Sequence, residues 1–310
     1  MSAAADTTSA PDRFRLCRSW LFVEGASEAA IADAAACPAD LLIHELEDFT
    51  PPARRPEARA LAPAAYERWR AAGKRVAVRV NPLDGDGMAD LKAVMRGRPE
   101  IVALPKVSGP EDVIRLADAV AALEAAYDIP PGSTALLPNI ESARALRLTF
   151  EIATASPRVA GCLMASEDLA ADLGAIRGPD AAELDHARGR FLVDCVAAGV
   201  IAVDCPYTWR DDAGAGADAL RARRLGYVAK SLVDPAHAAV INAALTPAVH
   251  EVAEAERLVA AFEAARAEGA ARVMLDGIEV ELPRYGNAKR LLARAAALAS
   301  EAGSGQTAAP

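Results

Sequence analysis

Charged and polar residues stand at the downstream ends of a series of short apolar runs, and their types suit metal-assisted chemistry. Glu24 closes the first run; Glu45, Glu47 and Asp48 follow the second, Arg79 and Asn81 the third, and Lys106 the fourth. Asn139 and Glu141 end the fifth, Ser166, Glu167 and Asp168 the sixth, Asp204 the seventh, and Lys230 with Asp234 the eighth. One charged residue after a strand is ordinary, because strands must end in water. As a set, carboxylates from several neighbouring strands beside Arg79 and Lys106 can converge on one mouth. Adjacent strands lie about 4.8 Å apart, so Glu141 and Asp168 can share one ion. Two carboxylates, with waters and a substrate filling the remaining positions, commonly hold Mg²⁺, with Mn²⁺ as the alternative ion. No histidine is needed: His44 ends a strand, His186, His237 and His250 fall on helical stretches, and all four read as packed or surface residues. Cys205 has no histidine near it in sequence and reads as a small buried residue rather than a nucleophile.

The elements that must position this ring are legible as an alternation. The apolar runs are Trp20–Val23, Leu41–Ile43, Val76–Val80, Ile101–Val107, Ala135–Ile140, Val159–Met164, Ile201–Val203 and Tyr227–Val233. Between most of them lie stretches with apolar residues three and four apart, such as Pro110–Tyr127 and Ala181–Ala198, which predict amphipathic helices. Repeated βα units make a parallel sheet buried on both faces, and eight of them favour a closed (β/α)8 TIM barrel of the α/β class. An open doubly wound sheet gives the same alternation, but the first βα turn, Glu24-Gly25-Ala26-Ser27, is not a dinucleotide-binding G-x-G-x-x-G.

The barrel is expected to span residues 13–244, with loose tails at 1–12 and 302–310. Residues 245–301 form a C-terminal extension that a barrel does not require. There Thr246-Pro247 reads as the cap and first residue of a helix running to about Arg266. Arg272–Leu275 and Ile278–Leu282 read as a hairpin around Asp276-Gly277, followed by a helix to about Leu298. The extension is expected to act as a lid or an oligomerisation arm.

Of the 310 residues, 53% are hydrophobic, enough for a large core, and 43 acidic against 34 basic residues leave a net charge of −9. No basic tract exists to neutralise a phosphate backbone, so a nucleic-acid partner is not expected. Five scattered cysteines, with no C-x-x-C, suit a reducing cytoplasm. The opening residues lack a secretory pattern, and no uncharged run reaches the roughly 18 apolar residues of a membrane span. A cytoplasmic protein without a membrane partner is the expectation.

In this order, R-S-W-L-F-V (Arg18–Val23), L-E-D-x-x-P-P (Leu46–Pro52), R-V-N-P (Arg79–Pro82), L-P-K-V (Leu104–Val107), I-E-S-A (Ile140–Ala143), S-E-D-L-A-A-D-L-G (Ser166–Gly174) and V-D-C-P-Y (Val203–Tyr207) resemble the HpcH/HpaI aldolase and citrate lyase β-subunit family of the phosphoenolpyruvate/pyruvate barrel superfamily. The resemblance runs from about Arg18 to Ala295. It implies a Mg²⁺-dependent carbon–carbon lyase, with Glu141 and Asp168 on the metal and Arg79 on a developing oxyanion. It further implies a homotrimer or hexamer. Glu47 and Asp48 are expected to join the catalytic set by orienting Arg79 or metal-bound water, and Arg18 and Lys106 to join Arg79 and Glu141 in binding substrate. In relatives an aspartate in an I-D-x-P context, from a neighbouring subunit, supplies acid/base chemistry; here V-E-L-P puts Glu281 at that position.

Two departures bear on the substrate. Relatives acting on coenzyme A thioesters tend to read F-V-P-G and G-K-x-x-I-H-P, where this chain has F-V-E-G with Glu24 and A-K-S-L-V-D-P with Ala229 and Asp234. A CoA thioester therefore competes with free small acids as the expected substrate. The expected reaction makes or breaks a C–C bond between a 2-oxo acid of the glyoxylate, pyruvate or oxaloacetate type and an acyl or CoA-thioester enolate. A Schiff-base aldolase using Lys106 or Lys230 is the mechanistic competitor. A carrier-dependent subunit of a larger lyase complex is the competitor from another class. A phosphotransfer enzyme ranks below both, since no Gly-rich phosphate loop is visible.

Overall fold

A computed structural model describes residues 9–306, with side chains placed to residue 301. Every expected run contains or overlaps a strand: β1 (Ser19–Glu24), β2 (Leu41–Glu45), β3 (Arg75–Arg79), β4 (Ile101–Leu104), β5 (Ala135–Ile140), β6 (Gly161–Met164), β7 (Ile201–Asp204) and β8 (Ala229–Leu232). The eight pair in sequence order, all parallel, and β1 also pairs with β8, so the sheet closes into a barrel. This is the (β/α)8 architecture, and the open-sheet alternative falls away because closure leaves no edge.

The two-residue period of each strand sorts the core into two layers. Trp20, Phe22, Leu41, Ile43, Ala77, Ala103, Leu137, Leu163, Val203 and Ala229 pack together in the lumen. Their neighbours Leu21, Leu42, Val78, Val102, Leu136, Cys162 and Leu232 pack outward against the helices. Phe14, on a 3-10 turn Asp12–Phe14, joins the luminal cluster with no exposed surface, under the Arg13 and Arg75 guanidiniums. The expected loose N-terminal tail is therefore corrected at its inner end: Ser9 to Asp12 is tied by the Ser9–Asp12 and Arg15–Asp12 side-chain bonds. Residues 1–8 lie outside the described residues.

The chain divides into two compact units between Leu245 and Thr246. In the second, a helix (Val249–Ala267), a hairpin of β9 (Val273–Leu275) and β10 (Ile278–Val280), and a helix (Leu282–Gln306) enclose their own core of Ala255, Leu258, Phe262, Val280 and Ala288. Asp276 and Gly277 both take positive φ, 50° and 75°, as a two-residue hairpin turn of this hand requires. The first helix opens at Val249, later than the Thr246-Pro247 signal suggests: Glu251 reaches back to accept from the Ala248 N–H at 2.6 Å, which caps the helix there. The last helix continues to Gln306, past the expected end near Leu298 and into the stretch read as a C-terminal tail.

Candidate active site

The mouth is assembled from the downstream ends of β2, β3, β5 and β6. Glu45 and Arg79 are register partners on β2 and β3, and both follow luminal residues at two-residue spacing, so their side chains meet inside the barrel. Glu45 Oε2 accepts from Arg79 Nε at 2.5 Å, and Oε1 accepts from the Glu47 N–H at 2.6 Å. A second Arg79 nitrogen stands 3.3 Å from Glu47 Oε2. The guanidinium lies 4.8 Å from the Phe22 ring centre and 5.8 Å from that of Phe49. Despite burial, Glu45, Glu47 and Glu141 hold Arg79 above the ordinary arginine range. It is a fixed, permanent cation.

Glu45 itself is fully buried, and burial pushes its carboxyl up against the pull of Arg79. Its position is set from the backbone side, where the Glu45 carbonyl accepts from the Gly25 N–H at 3.0 Å and the Thr50 hydroxyl at 2.6 Å. Gly25 must be glycine for this approach, because a Cβ there would collide with the Glu45 carbonyl oxygen. The sequence places Glu45 in the ring but does not reveal that it is what holds Arg79; the matched positions of the two at adjacent strand ends were the available signal.

Across the mouth, Glu141 follows β5 and Asp168 lies in the first turn of the helix Ser166–Leu173 after β6. Glu141 is 6% exposed, and burial lifts its pKa to about 7, helped by the charges of Glu47 and Asp168 and opposed by Arg79 and the Asn139 side chain. Its Oε2 accepts from the Lys106 N–H at 3.0 Å, whereas Oε1 is buried without a hydrogen bond. Ser166 Oγ is likewise buried and unbonded. A carboxylate oxygen and a hydroxyl left without partners in one mouth leave room for a guest. Two carboxylates and an unbonded hydroxyl form a hard, all-oxygen donor set that suits Mg²⁺ or Mn²⁺. Among the described residues no cluster of three or more His, Cys, Asp or Glu is arranged as a metal cage, so the remaining positions would fall to water and substrate. A cavity of about 260 Å³ opens here, lined by Phe22, Asp48, Phe49, Arg79, Ser166 and Asp168 among others.

The remaining expected residues sort by strand period and strand end. Lys106 Nζ is engaged by Glu47 and lies 3.5 Å from Asp48, which is half exposed at the rim. Arg18 is a correction: it precedes β1 at the opposite end of the barrel, where Asp40 takes its Nε and a terminal nitrogen, both at 2.9 Å, so it is not a substrate contact at this mouth. Asp204 and Lys230 are corrections too. They alternate with luminal Val203 and Ala229 and so face the helices, where Asp204, Lys230, Arg188 and Asp218 form a buried four-charge network. A Schiff-base role for Lys230 is excluded by that geometry, since its amine is held by Asp204 at 2.7 Å and by the Cys205 carbonyl at 2.5 Å. Burial pushes the Cys205 thiol up to about 12, which leaves no thiolate for nucleophilic work. Asn81 bonds Asp90 and the Leu46 carbonyl rather than facing the mouth. His44 packs between the sheet and the helix Arg55–Ala71, against Tyr66 and Trp69. Glu281 is an exposed residue of the second unit, between β10 and the final helix.

No helix among the described residues is long and apolar enough to cross a membrane. Comparison with known proteins gives a consistent answer. The chain is 36% identical over 280 residues to the citrate lyase subunit beta of Escherichia coli strain K12, covering 90% of this chain and 93% of that protein. It is 34% identical over 285 residues to a (3S)-malyl-CoA thioesterase of Cereibacter sphaeroides strain ATCC 17029, covering 91% and 96%. Among solved structures, the protein CitE from Mycobacterium tuberculosis, in complex with magnesium, acetoacetate and coenzyme A, superposes with a TM-score of 0.75 at 29% identity over 91% of this chain and 99% of that one. The family model for HpcH/HpaI aldolase/citrate lyase matches residues 18–235, the stretch that carries β1 to β8 and every mouth residue described above, and the chain is a lyase-type enzyme that belongs to that family.

Proposed function

We propose that this chain makes or breaks a carbon–carbon bond between a small 2-oxo acid and the enolate of an acyl group, most plainly a CoA thioester, with Mg²⁺ held by Glu141 and Asp168. The observation that carries the reading is the pairing of opposites in one mouth: a buried carboxylate with one unbonded oxygen beside Asp168 on one side, and a locked guanidinium on the other. When bound, Mg²⁺ would supply Lewis-acid stabilisation of a substrate carboxylate and its adjacent oxo oxygen. Arg79 would face the oxygen on which enolate charge develops, already oriented by Glu45 and Glu47. Phe22 and Phe49 flank that cation and keep water from screening it. An apolar groove of about 400 Å³, lined by Phe22, Phe49, Val233 and Pro235 with Glu24 and Asp33, shares three of these residues with the catalytic cavity and offers room for the acyl carrier's arm.

Support for the substrate class comes from the ligands named for the mycobacterial structure and from the malyl-CoA thioesterase relative. A second reading, a carrier-dependent subunit of a larger lyase, is favoured by the citrate lyase subunit beta relatives. A homotrimer or hexamer is the proposed assembly, to be checked by light scattering. The deciding assay supplies hydroxy-acid thioesters and free hydroxy acids to the purified chain and measures released 2-oxo acid and free thiol separately. Turnover of a free substrate excludes the subunit reading, and thiol release without 2-oxo acid identifies a thioesterase. Excess EDTA, Glu141→Ala and Asp168→Ala should each lower the lyase rate at least about a hundredfold with the fold retained. Full activity under any of these would sink the metal assignment.

A further inference from the structure

Lys106 adopts a backbone conformation that a lysine has no local reason to choose: φ is +53°, two residues beyond the end of β4. In that left-handed region Cβ crowds its own carbonyl, and only glycine enters freely. The other described non-glycine residues with positive φ, Arg98, Asp128, Ala181 and Asp276, sit at helix ends and turns. At Lys106 the conformation accomplishes something specific. It aims the backbone N–H at Glu141 Oε2, 3.0 Å away, while Oε1 of the same carboxylate stays buried and unbonded. The side chain runs to the other half of the mouth, where Nζ meets Glu47 Oε1 and lies 3.5 Å from Asp48. Glu47 in turn stands 3.3 Å from Arg79.

We infer that Lys106 is a positioning residue rather than a substrate contact: its left-handed backbone pins one oxygen of Glu141 so that the other faces the metal position, and its ammonium fixes Glu47 beside Arg79. The inference rests on the reading of Glu141 as a metal ligand. A free glutamate must be ordered when the ion arrives, and an N–H already holding Oε2 removes that cost in advance. Strain retained at a functional site is the usual form of such pre-organisation. The two halves of the role belong to different atoms, so they can be separated by substitution.

The probe is Mg²⁺ alone, titrated calorimetrically into the full-length protein. Lys106→Ala keeps the backbone and removes the ammonium; it should leave Mg²⁺ affinity within about twofold of wild type while lowering kcat, and Lys106→Arg should recover kcat in part. Lys106→Gly fits the left-handed backbone without strain and should also keep affinity within about twofold. Lys106→Val, whose branched Cβ resists positive φ, should weaken Mg²⁺ at least about tenfold with an unchanged circular dichroism spectrum. Equal affinity in Lys106→Val and Lys106→Ala overturns the backbone role, and so does a loss in Lys106→Ala as large as that in Lys106→Val. Should the valine variant not fold, hydrogen exchange decides. The Lys106 amide should be protected in wild type and exchange at least about tenfold faster in Glu141→Ala, and equal rates overturn the proposal. If Glu141→Ala binds Mg²⁺ as tightly as wild type, it is the metal assignment that fails instead.

Discussion

Arg79 is gripped on every side that is not the cavity: Glu45 at its Nε, Glu47 at a terminal nitrogen, and the Phe22 and Phe49 rings against its plane. Replacing one member of such a buried pair strands the other, so Arg79→Ala would confuse misfolding with lost chemistry. Arg79→Lys is the cleaner change, because it keeps the charge but loses the planar fork that meets both carboxylates. We expect kcat to fall by more than about tenfold, ~1.4 kcal/mol of transition-state stabilisation, with KM less affected; an unchanged kcat would reduce Arg79 to a strand terminus. His44, the next buried polar group along β2, obeys the opposite rule. Its Nε2 lies 3.0 Å from the Gly25 carbonyl and its Nδ1 3.1 Å from the Tyr66 hydroxyl, so a neutral ring protonated on Nε2 satisfies both. Burial lowers its pKa from 6.5 to about 4. The unfolded chain therefore binds a proton here below about pH 6.5 that the folded chain refuses until about pH 4. Stability present at neutral pH is lost as pH falls through that window, by ~3 kcal/mol from this one group. Urea midpoints should fall from pH 7 to 4.5 and fall less steeply in His44→Gln, whose amide can still donate to Gly25; parallel slopes would remove His44 from the acid response.

Each strand was visible in the sequence because a parallel barrel buries both faces of its sheet and leaves near-continuous apolar runs. Which way a strand-end residue points was not visible, because composition alone does not fix the phase of a two-residue period in a run that is apolar on both faces. Glu45 and Arg79 fall on the luminal phase, whereas Asp204 and Lys230 fall on the helix-facing one, and the two pairs look alike as letters. Arg18 was separable in the sequence itself: it stands just before the first apolar run, which puts it at the N-terminal end of β1, away from the mouth. Phe14 was hidden by the polar residues before it, although its ring is wholly buried in the luminal cluster. The hairpin β9–β10 was legible from Asp276-Gly277, since few residue pairs tolerate two consecutive positive φ angles. The role of Glu281, just beyond that hairpin, is open to a direct test. Its expected acid/base function predicts that Glu281→Gln, which preserves shape and removes the ionisable group, lowers kcat at least about tenfold while leaving KM and Mg²⁺ affinity nearly unchanged. Wild-type turnover in an intact oligomer would return the proton transfer to the barrel carboxylates.

The division after Leu245 separates two cores that share no residue, and every group proposed to hold metal or oxyanion lies in the first unit. A closed eight-stranded sheet exposes no strand edge, and its luminal and outer clusters are both complete by Leu245. A chain ended after Leu245 should therefore fold and should keep the metal site. Ligand linkage gives that expectation a magnitude: Mg²⁺ at about 100 times its Kd stabilises the folded state by ~2.7 kcal/mol. For a domain of this size about 2–4 °C of Tm accompanies each kcal/mol, so the shift should be roughly 5–10 °C. We predict the same Mg²⁺-dependent shift in the shortened and whole chains, and none in Glu141→Ala of either. Turnover should separate from it, falling in the shortened chain if Glu281 or its unit takes part in the reaction. A shortened chain that folds yet shows no Mg²⁺ shift would mean that Glu141 and Asp168 do not suffice, and that the metal position depends on residues beyond the barrel.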